Sequence, residues 1–491
     1  MKLENLLNEV DIIKSYGDFD RDISGIAYDS RKVTKDGVFV CITGFKTDGH
    51  RFIQSAIDNG AAALIIERDI ENTEMLVEDN RISIIRVKDS RQALSKLAAN
   101  FYDNPSERFK VVGITGTNGK TSITYLVSNI LEANNKRTSL IGTIKSKILN
   151  EEYKVANTTP ESVELQYFFN EMVKKDIDVC TMEVSSHSLD LKRVEDISFN
   201  IGVFTNLTAD HLDFHKDMES YKSAKVKLFY KAKDANIINT DDRYGKEIYE
   251  EIKKLDTPVL SYGTNSSCDI YTENIDMHAS YSEFDLVTPR FTGKVRINIP
   301  GLFSIYNILA AISVCYALGY SFEEISKGIK SIEPVRGRFE TVDNDKGIGV
   351  IVDYAHTPDA LKNVLETVNQ FVKGNTIVVF GCGGDRDGSK RHVMGKIAYD
   401  LSDYAIITND NPRTEDPEKI VSDIMEGIGP DKEKYEIVMD RKEAIRRAIE
   451  RARKDDIILI AGKGHETYQI INDEVFDFDD KEVALEFLKT N

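Results

Sequence analysis

Apolar residues recur along this chain in distinct registers, and each register predicts a different use of the backbone. Short unbroken apolar runs bounded by polar or glycine-rich segments mark strands buried on both faces. They are GVFVCI and AALIIE near the amino end, FKVVGIT, DVCTMEV, FNIGVFTNL and ANIINT in the middle, and IGVIVDY, TIVVFGC, YAIIT and DIILIAG toward the carboxyl end. Between them lie stretches with helical apolar spacing, such as RFIQSAIDNG, KTSITYLVSNILEAN and SIYNILAAISVCYAL. This alternation predicts an α/β protein built on parallel sheets. Near residues 268–299 the pattern becomes alternating and hairpin-like, in EFDLVT and KVRINIP, which predicts an antiparallel appendage to the central sheet.

Three segments follow, as the length of 491 residues also suggests. Residues 1–98 form a small amino-terminal α/β domain. Residues 99–333 form a central parallel-sheet domain, entered through a helix ending near Ala99. Residues 334–491 form a carboxyl-terminal domain, Rossmann-like in outline but without a true G-x-G-x-x-G.

Net charge is −18, with no basic block to offset it, which argues against a nucleic-acid partner. No apolar run is long enough to span a membrane, and the amino terminus lacks the apolar core of a signal peptide. The five cysteines are scattered without metal-ligand spacing and read as reduced thiols of a cytoplasmic protein. The expected state is a monomer.

The most specific chemistry lies in Gly113-Ile-Thr-Gly-Thr-Asn-Gly-Lys-Thr-Ser122, between a predicted strand and a predicted helix. Glycines there let backbone amides turn toward a phosphate, and the helix amino terminus favours the anion. Gly116, Thr117, Asn118, Gly119, Lys120, Thr121 and Ser122 are therefore candidate ATP contacts. Lys120 can reach the β and γ phosphates and the Thr121 hydroxyl can bind Mg²⁺. A phosphate loop of this kind also serves kinases, switches and regulatory ATPases. No guanine-reading Asn-Lys-x-Asp is found, and TMEV closes a strand on Glu183, which fits either a metal ligand or a solvated strand-end acid.

GITGTNGKTS, NTTPES, EVSSHSLDLKRV, TNLTADHLDFH, YKSAKVKLF, GRFE, VDYAHTPDAL, GCGGDRDGSKR, DNPRTEDP and AGKGHET occur in that order. Together they resemble the Mur ligase family over essentially the whole chain. YDSRKV and GFKTDGHRF resemble those members that add the third residue of the peptidoglycan stem. The resemblance implies an ATP-dependent, ADP-forming ligase that phosphorylates a carboxylate and lets an amine displace the phosphate. It implies Mg²⁺ on Thr121, Glu183, His211 and a CO₂-derived carbamate on Lys225. From spacing alone, Lys225 is a solvated helix lysine and His211 a structural histidine. Asn307, Arg338, Asp353 and His356 are implied around ATP. Ser30, Gly44, Lys46, Thr47, Asp48, Gly49 and His50 are implied around the uridine diphosphate end of a UDP-N-acetylmuramoyl dipeptide. Thr158, Thr159, Ser185 and Arg193 are implied around its peptide carboxylates. Leu191 stands where some relatives carry glutamine.

Third-residue enzymes take meso-diaminopimelate or L-lysine, which differ by one distal carboxylate. A guanidinium recognises a carboxylate by paired hydrogen bonds. Arg413, in the turn Asp410-Asn411-Pro412-Arg413, with Arg386, Gly462 and Glu466, makes meso-diaminopimelate the expected substrate. An L-lysine-adding ligase and a regulatory ATPase are the alternatives.

Overall fold

A computed structural model describes the chain except residues 46, 71, 72, 79–81, 154, 156, 279, 280, 333, 334, 473, 490 and 491. The expected start of the third segment, at Pro334, thus falls outside the described residues. The chain divides into two compact units. One comprises Met1–Thr115, Lys136–Gly202 and Ala224–Asn236; the other comprises Gly116–Asn135, Val203–Ser223 and Ile237–Asn491.

In the first unit the apolar runs near the amino end form a five-stranded sheet. Ser83–Val87, Ala61–Ile66, Gly37–Val40 and Ile26–Ala27 run parallel in that order, and Ile12–Tyr16 closes the edge antiparallel to Ser83–Val87. Ala61–Ile66 is buried along its whole length, as a run apolar on both faces requires. One face packs under the helix Ser90–Phe101 through Ala93, Leu94 and Leu97, and the other buries Phe39, Ala56 and Leu64. The same unit holds Val179–Glu183 parallel to Lys110–Thr115 on one side and to Thr138–Ile141 on the other. Ser146–Ile148 and Glu151–Tyr153 extend this sheet antiparallel.

In the second unit the helix Lys120–Ala133 buries Ile123, Leu126, Val127, Ile130 and Leu131, a stripe at helical spacing. It packs against the helices Leu302–Ala317 and Phe322–Lys330. Gly328 permits that approach, since a Cβ there would lie 2.5 Å from the Ile130 Cα. The alternating segment forms Ile270–Met277, Ser282–Val287 and Thr292–Ile297, antiparallel as expected. Beyond it lies a six-stranded sheet ordered Glu340–Thr341, Gly349–Asp353, Ile457–Ala461, Thr376–Phe380, Tyr404–Ile407 and Tyr435–Ile437, parallel except at the Glu340–Thr341 edge. Both faces carry apolar cores. A hairpin, Tyr468–Ile471 with Glu474–Asp477, follows the last parallel strand. No helix among the described residues is long and apolar enough to cross a membrane.

One buried ion pair ties this sheet to its helices. Arg441 places Nε 2.7 Å from one Asp480 oxygen and Nη2 2.8 Å from the other, and Nη2 also donates to the Ala461 carbonyl at 2.9 Å. Removing one partner of such a pair strands the other charge in the core, at a cost of about 3–5 kcal/mol. Arg441→Leu is expected to lower stability by that amount in denaturant titration. Arg441→Leu with Asp480→Leu should recover most of the loss, and equal losses in the single and double variants would contradict this account.

Candidate functional site

The phosphate loop is shaped by positive backbone angles that glycine tolerates. Gly116 has φ +148 and Gly119 φ +89; a Cβ would lie 1.8 Å from Thr205 Oγ1 at the first and 2.5 Å from Asn307 Oδ1 at the second. The loop is pinned from the chain after Val203. Thr117 N donates to the Asn206 carbonyl at 2.8 Å, Asn118 N donates to Asn206 Oδ1 at 2.9 Å, and Thr205 Oγ1 donates to the Asn118 carbonyl at 2.6 Å. Lys120 Nζ curls over the loop and donates to the carbonyls of Gly116 at 2.9 Å and Thr117 at 2.8 Å. These bonds leave the Gly119–Lys120–Thr121 turn at the start of a 14-residue helix, where backbone amides and the helix dipole favour an anion.

Arg338 reaches this helix, donating from Nη2 to Thr121 Oγ1 at 3.1 Å while its guanidinium stacks over Tyr354 at 4.6 Å. Its turn is fixed from below: Phe339 N donates to Asp353 Oδ2 at 2.7 Å and Tyr354 N to the Gly337 carbonyl at 2.9 Å. Burial pushes the Asp353 carboxyl up to about 6 although Arg338 opposes it. Burial and the nearby Lys390 push His356 down to about 4, so its ring is neutral at pH 7. Asn118 Nδ2 donates to Asp359 at 2.9 Å, a contact the sequence did not suggest. Between the helices, an apolar pocket walled by Ile297, Ile299, Phe303 and Val335 carries Ser122, Ser304, Asn307 and Arg338 as its polar side chains. His211 has φ 56 and lies 3.5 Å from Asp210. Burial alone would raise Asp210, but His211 and Lys390 hold it down at about 2.

At the carboxyl ends of the parallel strands, where open α/β sheets bind ligands, three loops meet. Gly462, at φ +114, leaves no space for a Cβ beside Asp410 Oδ2, 2.5 Å away. Arg413 adopts φ 52; its Nη1 donates to the Gly384 carbonyl at 2.8 Å, and its backbone bonds the hairpin at Ile470 and Asn472. Gly384 would carry a Cβ only 1.9 Å from the Pro412 carbonyl oxygen. Arg386 Nη1 donates to the Asp385 carbonyl at 3.0 Å. Asn411 Nδ2 donates to Glu466 Oε2 at 2.8 Å. Arg391 binds Glu415 at 2.6 Å and Asp423 at 2.8 Å and donates to the Gly383 carbonyl at 3.3 Å, which ties the segment after Thr376–Phe380 to the one after Tyr404–Ile407. Burial pushes the Tyr468 phenol up; Glu466 and Asp410 add to the rise, and Arg413 and Arg386 oppose it.

In the first unit, Glu183 is 1% exposed and accepts from Thr143 N at 2.8 Å and Thr143 Oγ1 at 3.0 Å. Thr159 Oγ1 donates to the Glu183 carbonyl at 2.9 Å and accepts from Ser185 N at 3.1 Å, and Thr158 Oγ1 lies 3.1 Å from Thr143 Oγ1. Arg193 Nη1 donates to the Thr159 carbonyl at 3.2 Å, and Arg193 is ion-paired with Glu161. Burial pushes the Glu161 carboxyl up, against Arg193 and Arg91. Neither Glu161 nor Arg91 was singled out from the sequence, although Glu161 lies inside NTTPES. Lys225 is 1% exposed, unlike the solvated lysine that helix spacing alone suggests. In the amino-terminal loop, Gly44 N donates to the Thr47 carbonyl at 2.9 Å. Gly49 fits tightly, with a Cβ position 2.7 Å from Ile42 N. His50 Nδ1 lies 2.7 Å from Asp48 Oδ1 and His50 Nε2 accepts from Glu67 N at 3.1 Å, so Asp48 and His50 shape the loop. Ser30 opens a short turn and its carbonyl accepts from Asn59 at 2.9 Å. Lys46 lies outside the described residues.

Three family models match successive stretches of the chain. Residues 22–102 match the model of the Mur ligase family catalytic domain, 114–315 the Mur ligase middle domain and 337–464 the Mur ligase glutamate ligase domain. The chain is 51% identical to a UDP-N-acetylmuramoyl-L-alanyl-D-glutamate--2,6-diaminopimelate ligase of Clostridioides difficile, over 99% of both chains. It is 48% identical to the protein of the same name from Alkaliphilus oremlandii, over 100% of this chain and 99% of the other. A solved structure of a ligase of that name superposes with TM-score 0.70 at 30% identity, covering 99% of this chain and 98% of the other.

Asp353 supplies a pH test of the arginine turn. Its carboxyl sits at about 6 in the folded protein, against about 4 in an unfolded chain. Between those values the unfolded chain has released the proton and the folded one retains it, so stability falls as pH rises from about 4 to about 6. Relative to Asp353→Asn, the unmutated protein is expected to lose on the order of 3 kcal/mol across that window. Denaturant midpoints at each pH read the difference, and parallel profiles would refute the assignment.

Proposed function

The chain belongs to the Mur ligase family, and on that premise we propose that it is an ATP-dependent ligase that adds meso-diaminopimelate to the D-glutamate carboxylate of UDP-N-acetylmuramoyl-L-alanyl-D-glutamate. The reaction proceeds through an acyl phosphate during cytoplasmic synthesis of the peptidoglycan precursor, in a monomer without nucleic-acid or membrane contacts. Residues 1–98 bind the nucleotide sugar, 99–333 bind ATP and 334–491 bind the amino acid.

Backbone amides from Gly116 to Ser122 and the Lys120 ammonium hold the ATP phosphates. The pocket carrying Asn307 takes the adenine, and Arg338, Asp353 and His356 border the nucleotide. Two Mg²⁺ ions, when bound, neutralise phosphate charge and polarise the transferred group. Thr121, Glu183, His211 and carbamylated Lys225 offer hydroxyl, carboxylate and imidazole donors for them, and the near-complete burial of Lys225 suits an amine that has become part of an anionic ligand. Ser30, Gly44, Lys46, Thr47, Asp48, Gly49 and His50 take the uridine diphosphate end, while Thr158, Thr159, Ser185 and Arg193 orient the dipeptide. The γ-phosphoryl group passes to the D-glutamate carboxylate, the amine of diaminopimelate attacks the acyl phosphate, and inorganic phosphate leaves.

One observation carries the choice of amine: Arg413 and Arg386 both border the space at Gly383, where a Cβ would lie 3.1 Å from Arg413 Nη1 and 3.9 Å from Arg386 Cγ, and Asn411 of the same turn bonds Glu466 Oε2 at 2.8 Å. The far end of diaminopimelate presents one carboxylate and one ammonium, which match that set. L-Lysine presents the ammonium alone and leaves Arg413 without its carboxylate, a loss of about 1–3 kcal/mol or roughly tenfold to 150-fold.

Phosphate release with ATP, Mg²⁺ and the nucleotide dipeptide is expected to be strong with meso-diaminopimelate and weak with L-lysine. Hydrolysis indifferent to the amino acid would point to a regulatory ATPase. Arg413→Ala should erase the preference chiefly through a higher KM, and a preserved preference would remove Arg413 from recognition. Lys225→Ala should collapse turnover, with partial rescue by short carboxylic acids; full activity would dismiss the carbamate.

A further inference from the structure

Lys463 is a fully buried lysine to which the reaction assigns nothing. Its side chain is 0% exposed, and its Nζ lies 3.0 Å from Glu466 Oε2 and 3.2 Å from Asn411 Oδ1. The backbone on either side is held in conformations that glycine tolerates: Gly462 has φ +114 and Gly464 φ +52, and a Cβ on Gly464 would lie 2.7 Å from the Tyr354 Cβ.

The hydrogen bonds around it have a direction. Asn411 Oδ1 accepts from Ile470 N at 2.9 Å as well as from Lys463. Two donors on that oxygen fix the amide, so Asn411 Nδ2 must point to Glu466 Oε2, 2.8 Å away. Glu466 Oε2 then receives both Asn411 and Lys463. A carboxylate has room for further donors on its second oxygen, and Oε1 is the one left for a ligand.

Taking an ammonium out of water costs several kcal/mol, and a well-packed apolar residue often serves the core as well or better. A cation kept there, on the residue between Gly462 and Glu466, therefore has a use beyond packing. We propose that Lys463 is a positioning residue for amino-acid selection: it keeps Glu466 ionised and turned so that Oε1 alone receives the ammonium of the incoming diaminopimelate. This rests on the amino-acid site of the preceding section.

The surroundings support the need for such a cation. Burial pushes the Glu466 carboxyl up, with Asp410 adding to the push, and Lys463 and Asn411 oppose it. Arg441, Tyr354 and Tyr468 are the other titratable groups facing Glu466. Without Lys463, burial and Asp410 act on the Glu466 carboxyl with only Asn411 to oppose them, which favours its protonated form.

The test measures diaminopimelate-dependent phosphate release in the full-length protein. Lys463→Met is expected to raise the KM for diaminopimelate by at least about tenfold, with kcat and the KM for ATP changed by less than about threefold. That KM should fall again as pH rises from 6 to 9 in the variant, while the unmutated protein stays flat. In a Glu466→Gln background Lys463→Met should add almost nothing, because its effect is carried by that carboxylate. A KM unchanged in Lys463→Met, or a loss of the same size with and without Glu466, would overturn the proposal. So would equal rises for all three substrates, which indicate a role in folding alone. If Lys463→Met does not fold, Lys463→Gln and the carbon-13 titration of the Glu466 carboxyl in the unmutated protein decide the matter. Titration of Glu466 above pH 7 with Lys463 in place would equally overturn it. Absence of diaminopimelate-dependent release in the unmutated protein would defeat the preceding reading and this one together; its presence with an unaffected Lys463→Met defeats this one alone.

Discussion

Ionised groups held out of bulk water, each against a partner that fixes its direction, are the constraint on which this molecule depends. The protein is strongly acidic, at −18, yet the proposed substrates add further negative charge. Cations must therefore be placed locally rather than supplied by the surface as a whole. The structure meets this by pairing. Arg193 faces Glu161, Arg391 is clasped by Glu415 and Asp423, and Arg441 is sealed against Asp480. Each pair fixes the direction of a guanidinium.

The parallel sheets supply the places where such groups emerge. In the carboxyl-terminal sheet the strands Thr376–Phe380, Tyr404–Ile407 and Ile457–Ala461 are fully apolar or nearly so, and polar chemistry begins in the loops that leave them. Rigid strands set the height of these loops, and glycines with positive φ allow their backbones to approach one another more closely than side chains would permit. Catalytic precision here owes more to packed strands than to the loops themselves.

Much of this was legible in the amino-acid order. Buried strands announce themselves as apolar runs, and AALIIE and IGVIVDY need no tertiary information to be recognised. The alternating EFDLVT was readable as part of a hairpin. Short edge elements were not: Tyr435–Ile437 and the hairpin at Tyr468–Asp477 are only partly buried, so no hydrophobic period marks them. Phosphate-loop residues were found because strand, glycines and helix adjoin in sequence. Partners brought in from afar, such as Asn206 on Asn118, Asp359 on Asn118 and Glu161 on Arg193, leave no local signature, since their meaning is set by contact and not by spacing. Lys225 is the sharpest case: helical periodicity places it in solvent, whereas it is 1% exposed.

Arg413 holds the left-handed backbone conformation at φ 52. Side chains branched at Cβ resist that region strongly, whereas glycine and asparagine enter it readily. The ways in which this position can drift over evolutionary time are thus narrowed by its main chain before any ligand is considered. A lineage changing its amine preference would find Gly or Asn open at the site and Val, Ile or Thr closed, so the range of amino-acid choices across descendants is channelled by a torsion angle as much as by charge.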